Sequence, residues 1–132
     1  MVCSHGIQAS GNVRLIGTCA KENGSVSFIS TVESASIDKR VYSPFMERGF
    51  LDLLRERRVD AVVITGAETD VCVLATVISA VDLGFRVVLA TDAMCSSSDA
   101  THDALLTLYR NRFSEQVETC DTETILHEWE LP

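Results

Sequence analysis

The stretch Val59-Asp60-Ala61-Val62-Val63-Ile64-Thr65-Gly66-Ala67-Glu68-Thr69-Asp70-Val71-Cys72-Val73 decides the fold. Val59–Thr65 is a β-branched, apolar run closed by Gly66, the pattern of a strand covered on both faces of a parallel sheet. Beyond it Val73, Val77, Ala80, Val81 and Leu83 recur at helical spacing until Gly84, with Thr69 or Asp70 as the N-cap. Cys72 falls in the first turn of that helix. Unpaired backbone N–H groups and the positive end of the helix dipole favour a thiolate there, so the place suits a reactive thiol. It equally suits a small buried side chain that packs the helix on the sheet.

From about Ser36 onward, strand and helix signals alternate at short spacing, the signature of βαβ units. Phe45–Arg57 reads as a helix with Phe45, Phe50, Leu51, Leu53 and Leu54 on its apolar face, and Arg86–Thr91 as a second buried strand. A polar loop over Asp92–Asp99 follows, then a helix over Asp103–Asn111, a short edge strand at Gln116–Thr119 and a last helix over Asp121–Trp129. The predicted fold is α/β, a Rossmann-like parallel sheet with helices on both faces. In such sheets sites gather at the carboxyl ends of the strands, where Cys72 and the Asp92–Ser98 loop both fall. Residues 1–35 form a different segment, with weak strand signals at Val13–Ile16 and Val26–Val32 interrupted by Gly and Ser.

Composition narrows the function classes. A chain of 132 residues with 46% hydrophobic content is one globular domain, short for a complete doubly wound enzyme. A formal charge of −8 opposes binding to phosphate backbones or anionic membranes. The one basic run, Arg55-Glu56-Arg57-Arg58, sits at a helix end where cations offset the dipole. Five cysteines, at 3, 19, 72, 95 and 120, form no CxxC pair, which argues against a disulfide scaffold or a zinc ribbon. Met1–Gly11 lacks a secretory pattern, and no apolar stretch approaches the roughly eighteen residues that cross a bilayer. These features predict a reduced, soluble, cytoplasmic protein.

Asp38-Lys39-Arg40-Val41-Tyr42-Ser43-Pro44-Phe45, Gly66-Ala67-Glu68-Thr69-Asp70-Val71-Cys72-Val73 and Thr91-Asp92-Ala93, read together, resemble the isochorismatase-like cysteine hydrolase superfamily, which includes isochorismatases, nicotinamidases and small-amide amidohydrolases. The resemblance covers roughly Ser36 to Leu126 and implies a hydrolase domain over residues 36–132. It implies that Cys72 is the nucleophile, attacking a carbonyl carbon to give a thioester that water hydrolyses. It implies that Lys39 is the triad lysine, holding an ammonium near the sulfur. It further implies a cis peptide joining Ala67 to Glu68, and an oxyanion hole from the backbone N–H groups of Glu68 and Cys72. Phe45 and Glu68 are candidates to line the substrate pocket. Asp70 and Asp92 read as structural acceptors of hydrogen bonds. A small-molecule substrate, no cofactor and a homo-oligomer complete the expectation.

The resemblance also implies a triad aspartate, the general base, at the end of a central first strand. No Asp precedes Asp38, and Met1–Val32 contains no apolar strand followed by Asp. The metal ligands that nicotinamidases carry after that aspartate have no counterpart, so no metal site is expected. The sheet is therefore expected to be incomplete at its amino end unless Val13–Ile16, Val26–Val32 or a partner chain fills the place, and hydrolysis is expected to be impaired. Asp38 and Lys39 are neighbours, whose side chains point to opposite faces of an extended chain. Glu68 is the better substitute acid. His102, opening the helix after the serine loop, is placed for a Cys–His pair. Besides the hydrolase, two other readings stand: a non-catalytic binding or oligomerisation module, and a redox-responsive thiol protein using Cys72 with Cys95 nearby.

Overall fold

A computed structural model describes residues 12–19, 25–29 and 34–128, with side chains described from residue 37 onward. Three strands come first: β1 (Asn12–Cys19), β2 (Ser25–Ile29) and β3 (Ser34–Asp38). A 3-10 turn, Pro44–Met46, and helix α1 (Phe50–Glu56) lead into β4 (Val59–Ala67). A π-helical turn, Thr69–Val73, then opens α2 (Leu74–Asp82), followed by β5 (Arg86–Cys95), α3 (Asp99–Arg112), β6 (Val117–Cys120) and α4 (Thr122–Glu128).

The strands form one sheet in the order β3-β2-β1-β4-β5-β6. Strands β1, β4, β5 and β6 run parallel, while β2 and β3 are added antiparallel at one side. The place beside β4 is taken by β1, which contains the weak signal at Val13–Ile16, with Leu15 opposite Val63 and Thr18 opposite Gly66. Its last residue, Cys19, follows that final pair, so the strand end next to β4 carries a cysteine.

Side-chain alternation along β4 and β5 divides the interior in two, as period-2 geometry requires. Val62, Ile64, Val87 and Leu89 pack on one face with Phe50 and Leu54 of α1, Val77 and Ala80 of α2 and Tyr109 of α3. Ala61, Val63, Val88 and Ala90 pack on the other with Cys120 and Ile125 of α4. Helices thus cover both faces. Burying each Leu, Ile, Val or Phe contributes about 1.5–3 kcal/mol.

Local differences from the sequence reading have physical causes. Phe45–Arg57 is not one helix: Gly49, at φ 83°, breaks it into the 3-10 turn and α1, because a left-handed residue cannot continue a right-handed helix. Strand β5 does not stop at Thr91. The β4–β5 pairing shifts register between Ile64–Leu89 and Gly66–Met94, with the extra residues in β5, and Met94 and Cys95 then pair with Gly66 and Ala67, so the expected loop begins only at Ser96. Helix α3 starts at Asp99, earlier than Asp103, because the Ser98 hydroxyl caps it by accepting from the Thr101 N–H. Cys120 is disulfide-bonded to a residue outside the described side chains, a departure from an all-thiol chain, whereas Cys72 and Cys95 are free. No helix among the described residues is long and apolar enough to cross a membrane.

Candidate active site at the carboxyl end of the sheet

Strand β4 leaves the sheet through Gly66, at φ 109°, a backbone region that side chains rarely tolerate. The next peptide bond, Ala67–Glu68, is cis. The chain then enters the Thr69–Val73 turn, where the Glu68 carbonyl accepts from both Val71 N–H (3.2 Å) and Val73 N–H (3.0 Å). Widened turns of this i→i+5 type often occur at functional sites. Cys72 lies between those two donors. Its carbonyl accepts from the buried Thr76 hydroxyl at 2.7 Å, and its thiol is partly exposed.

Lys39 follows β3 directly. Asp38 is exposed, while Lys39 is only 6% exposed, the opposite orientations expected of extended neighbours. The Lys39 ammonium donates to Cys72 Sγ at 3.3 Å and to the Val41 carbonyl at 3.1 Å. Among the described residues no carboxylate joins this pair. A buried ammonium is costly without a counter-anion, and the atom in contact able to become one is the Cys72 sulfur.

The other titratable groups near the turn have hydrogen-bond partners of their own. The Glu68 carboxylate accepts from Ser97 N–H at 2.6 Å, so the candidate substitute acid is engaged with the serine loop. The Asp70 carboxylate accepts from the Ser96 hydroxyl at 2.7 Å, and hydrogen bonds from Ser96 and Thr101 hold it below the usual carboxylate range. His102 forms no pair with Cys72: its Nδ1 lies 2.8 Å from Thr69 Oγ1. Asp92 accepts from Thr122 N–H and the Thr122 hydroxyl, at 2.8 and 2.7 Å, which ties β5 to the start of α4 and lowers the Asp92 carboxyl. Phe45 is in the core, its ring edge-on to Phe50 with centroids 5.1 Å apart and tilted against Phe85 at 5.7 Å.

Sequence reasoning did not single out Thr69, Ser43 or Ser79 for the site. Thr69 is fully buried yet reads as an ordinary N-cap, and the Ser43 hydroxyl donates to Ser79 across 36 residues of chain, a pairing without a local signal. The run Ser96-Ser97-Ser98 was a usable clue, since three short polar residues at a strand's carboxyl end are natural partners for the Cys72 turn. Among the described residues no group of three or more His, Cys, Asp and Glu could hold a metal ion.

This geometry has relatives. Residues 27–121 match the family model described as the isochorismatase domain. The isochorismatase family protein PncA of Bacillus subtilis (strain 168) is 33% identical over 81 residues, covering 61% of this chain and 44% of the relative. Among solved structures, a pyrazinamidase/nicotinamidase from Streptococcus mutans UA159 superposes with a TM-score of 0.58 at 39% identity, over 64% of this chain and 45% of the other. An isochorismatase-like hydrolase from Alkaliphilus metalliredigens superposes with a TM-score of 0.63 at 27% identity, over 70% and 52%. The chain spans about half the length of these relatives. With the family model matched over most of its residues, through both the Lys39 and the Cys72 segments, this chain belongs to the isochorismatase family.

Proposed function

We propose that the chain is a cysteine hydrolase of small amides, with Cys72 as nucleophile and Lys39 as its charge partner. The observation that supports this most is the 3.3 Å contact between a buried ammonium, without a carboxylate partner among the described residues, and a partly exposed thiol. In this reading the Cys72 thiolate adds to the substrate carbonyl carbon, and the carbonyl electron pair moves onto oxygen. The backbone N–H groups of Glu68, just before the turn, and of Cys72, within it, are the donors assigned to that oxyanion. Collapse expels the amine with a proton and leaves a thioester. Water then adds to the thioester, releasing the acid and returning the thiol. The relatives named for pyrazinamide and nicotinamide direct the first screen to heteroaromatic carboxamides. A charge of −8 favours a small-molecule substrate over nucleic acid. The exposed Val41, Tyr42 and Met46 beside Lys39 are candidates for contact with a second copy.

One observation favours a second reading, a non-catalytic family member acting as a binding module. Strand β1 ends at Cys19, and no described carboxylate touches the Lys39–Cys72 pair, so the usual acid that accepts the thiol proton has no visible stand-in. Ammonia release from nicotinamide and pyrazinamide, with Cys72→Ser as control, separates the two. Turnover that Cys72→Ser abolishes supports the hydrolase. No turnover, with Cys72 alkylating no faster than the exposed free thiol of Cys95, supports the module.

A further inference from the structure

We propose that His102 is a positioning residue that holds the Cys72 turn in place through Thr69, an inference that deepens the nucleophile reading and rests on it. Three consecutive residues at the head of the turn each grip the segment after β5: Glu68 accepts from Ser97 N–H, Thr69 pairs with His102, and Asp70 accepts from the Ser96 hydroxyl. The three links are not equivalent. Glu68 and Asp70 are partly exposed, so water competes for their carboxylates. Thr69 is 0% exposed while His102 is partly exposed, so the Thr69 end of this hydrogen bond is sheltered from water and its hydroxyl is the costliest of the three to leave unpaired.

The partner is itself fixed. His102 sits in the first turn of the 14-residue α3, its N–H bonded to the Ser98 carbonyl at 3.1 Å, and Ser98 caps that helix with its own hydroxyl. The imidazole therefore connects a long, rigid element to the residue three positions before the nucleophile. Its bond survives every protonation state: Nδ1 accepts from the Thr69 hydroxyl in one neutral tautomer and donates to it in the other and in the cation. A latch of this kind supplies geometry without joining the chemistry. Since misplacement of about 1 Å at a reacting group can cost about a hundredfold in rate, holding the turn is a direct control on thiol reactivity.

The test uses the full chain and two readouts. Amide hydrogen exchange of a peptide spanning residues 68–75 reports the turn, and iodoacetamide alkylation of Cys72, with Cys95 as internal comparator, reports reactivity. We expect His102→Ala and Thr69→Val each to speed exchange in that peptide about tenfold and to slow Cys72 alkylation about tenfold, with the Val59–Thr65 strand and Cys95 unchanged. The double variant is expected to be no worse than either single one, because both remove the same bond. His102→Asn, whose amide reaches the position of Nδ1, is expected to restore both readouts to within about threefold. Unchanged exchange in His102→Ala, additive losses in the double variant, or an Asn variant as impaired as the Ala one overturns the latch. If instead wild-type Cys72 alkylates no faster than Cys95, the nucleophile reading fails, and the exchange data still decide whether His102 holds the turn.

Discussion

The Ser43 hydroxyl donates to Ser79 Oγ at 2.8 Å, joining the segment that carries Lys39 to the helix that Cys72 introduces. Ser79 passes the bond on to the Ala75 carbonyl at 2.8 Å, while Ser43 accepts from Phe45 N–H at 3.3 Å. Two chain segments far apart in sequence are thereby set at a fixed spacing. Ser79→Ala leaves the buried Ser43 hydroxyl without its acceptor and is expected to cost about 1–3 kcal/mol. Ser43→Ala, which leaves Ser79 bonded to Ala75, is expected to cost less. Urea denaturation of the two variants gives the comparison, and equal costs would refute the asymmetry.

Replacing Lys39 with Met keeps the buried stem and removes the charge. Cys72 alkylation at pH 7 is expected to fall about tenfold, while Cys95, exposed at the end of β5, reacts as before. Peptide mass spectrometry after timed quenching reads both thiols in one sample. Equal rates at Cys72 in the two proteins would show that the ammonium does not tune the sulfur.

Tyr109 carries a buried phenol without a hydrogen-bond partner among the described residues, and burial pushes its ionisation well above the usual phenol range. Tyr109→Phe removes the unsatisfied hydroxyl, keeps the ring against Phe113, and is expected to raise stability by about 1 kcal/mol, a Tm increase of a few degrees. The sign with pH follows from linkage. Above about pH 10 the unfolded tyrosine loses its proton and the folded one keeps it, so wild-type stability falls as pH rises further. In the Phe variant that alkaline contribution is absent. A destabilised Tyr109→Phe variant would mean that the hydroxyl has a partner after all.

Asp70, Asp92 and Asp121 all have carboxyls held below the usual range, chiefly by side-chain hydrogen bonds from Ser96, Thr122 and Thr124 respectively. Lowered folded values stabilise the protein above the unfolded carboxylate value of about 3.9, and this contribution is lost as pH falls through the folded values. Thermal unfolding between pH 7 and pH 3 is therefore expected to hold steady to about pH 5 and then decline. Asp92→Asn is expected to flatten the decline and to loosen α4, because Asp92 anchors the Thr122 N–H and hydroxyl. Unaltered exchange protection of α4 in that variant would remove Asp92 as its anchor.

What could be read from the sequence depended on how local its cause was. Val59–Thr65 was legible because a strand buried on both faces needs apolar residues at almost every position. The first three strands were weak because Gly17, Ser25, Ser27 and Ser36 interrupt their apolar pattern, and their pairing comes from neighbouring strands. The extension of β5 was hidden by Asp92, whose carboxylate belongs to the start of α4 and reads locally as a turn signal. Lys39 and Cys72 stand 33 residues apart, as do Thr69 and His102. The former pair was found through a recognisable motif. The latter had none, and no periodicity can announce a partner at that distance.

The course of β5 sets a rule for how this chain can vary. One strand, bulged between Leu89 and Met94, runs from Val87 and Leu89 in the core, past Asp92 at α4, to Met94 and Cys95 opposite Gly66 and Ala67, and delivers Ser96 and Ser97 to the Cys72 turn. Residue identity along it is negotiable, but residue number is not. The bulge between Leu89 and Met94 reverses the alternation, so that both residues pack on the same face, and deleting or inserting a single position there would undo that match for everything downstream. The α4 anchor and the serine contacts would be lost together. Across variants of this protein the segment should therefore tolerate exchanges of side chain while keeping a constant length, even where the flanking turns differ in theirs.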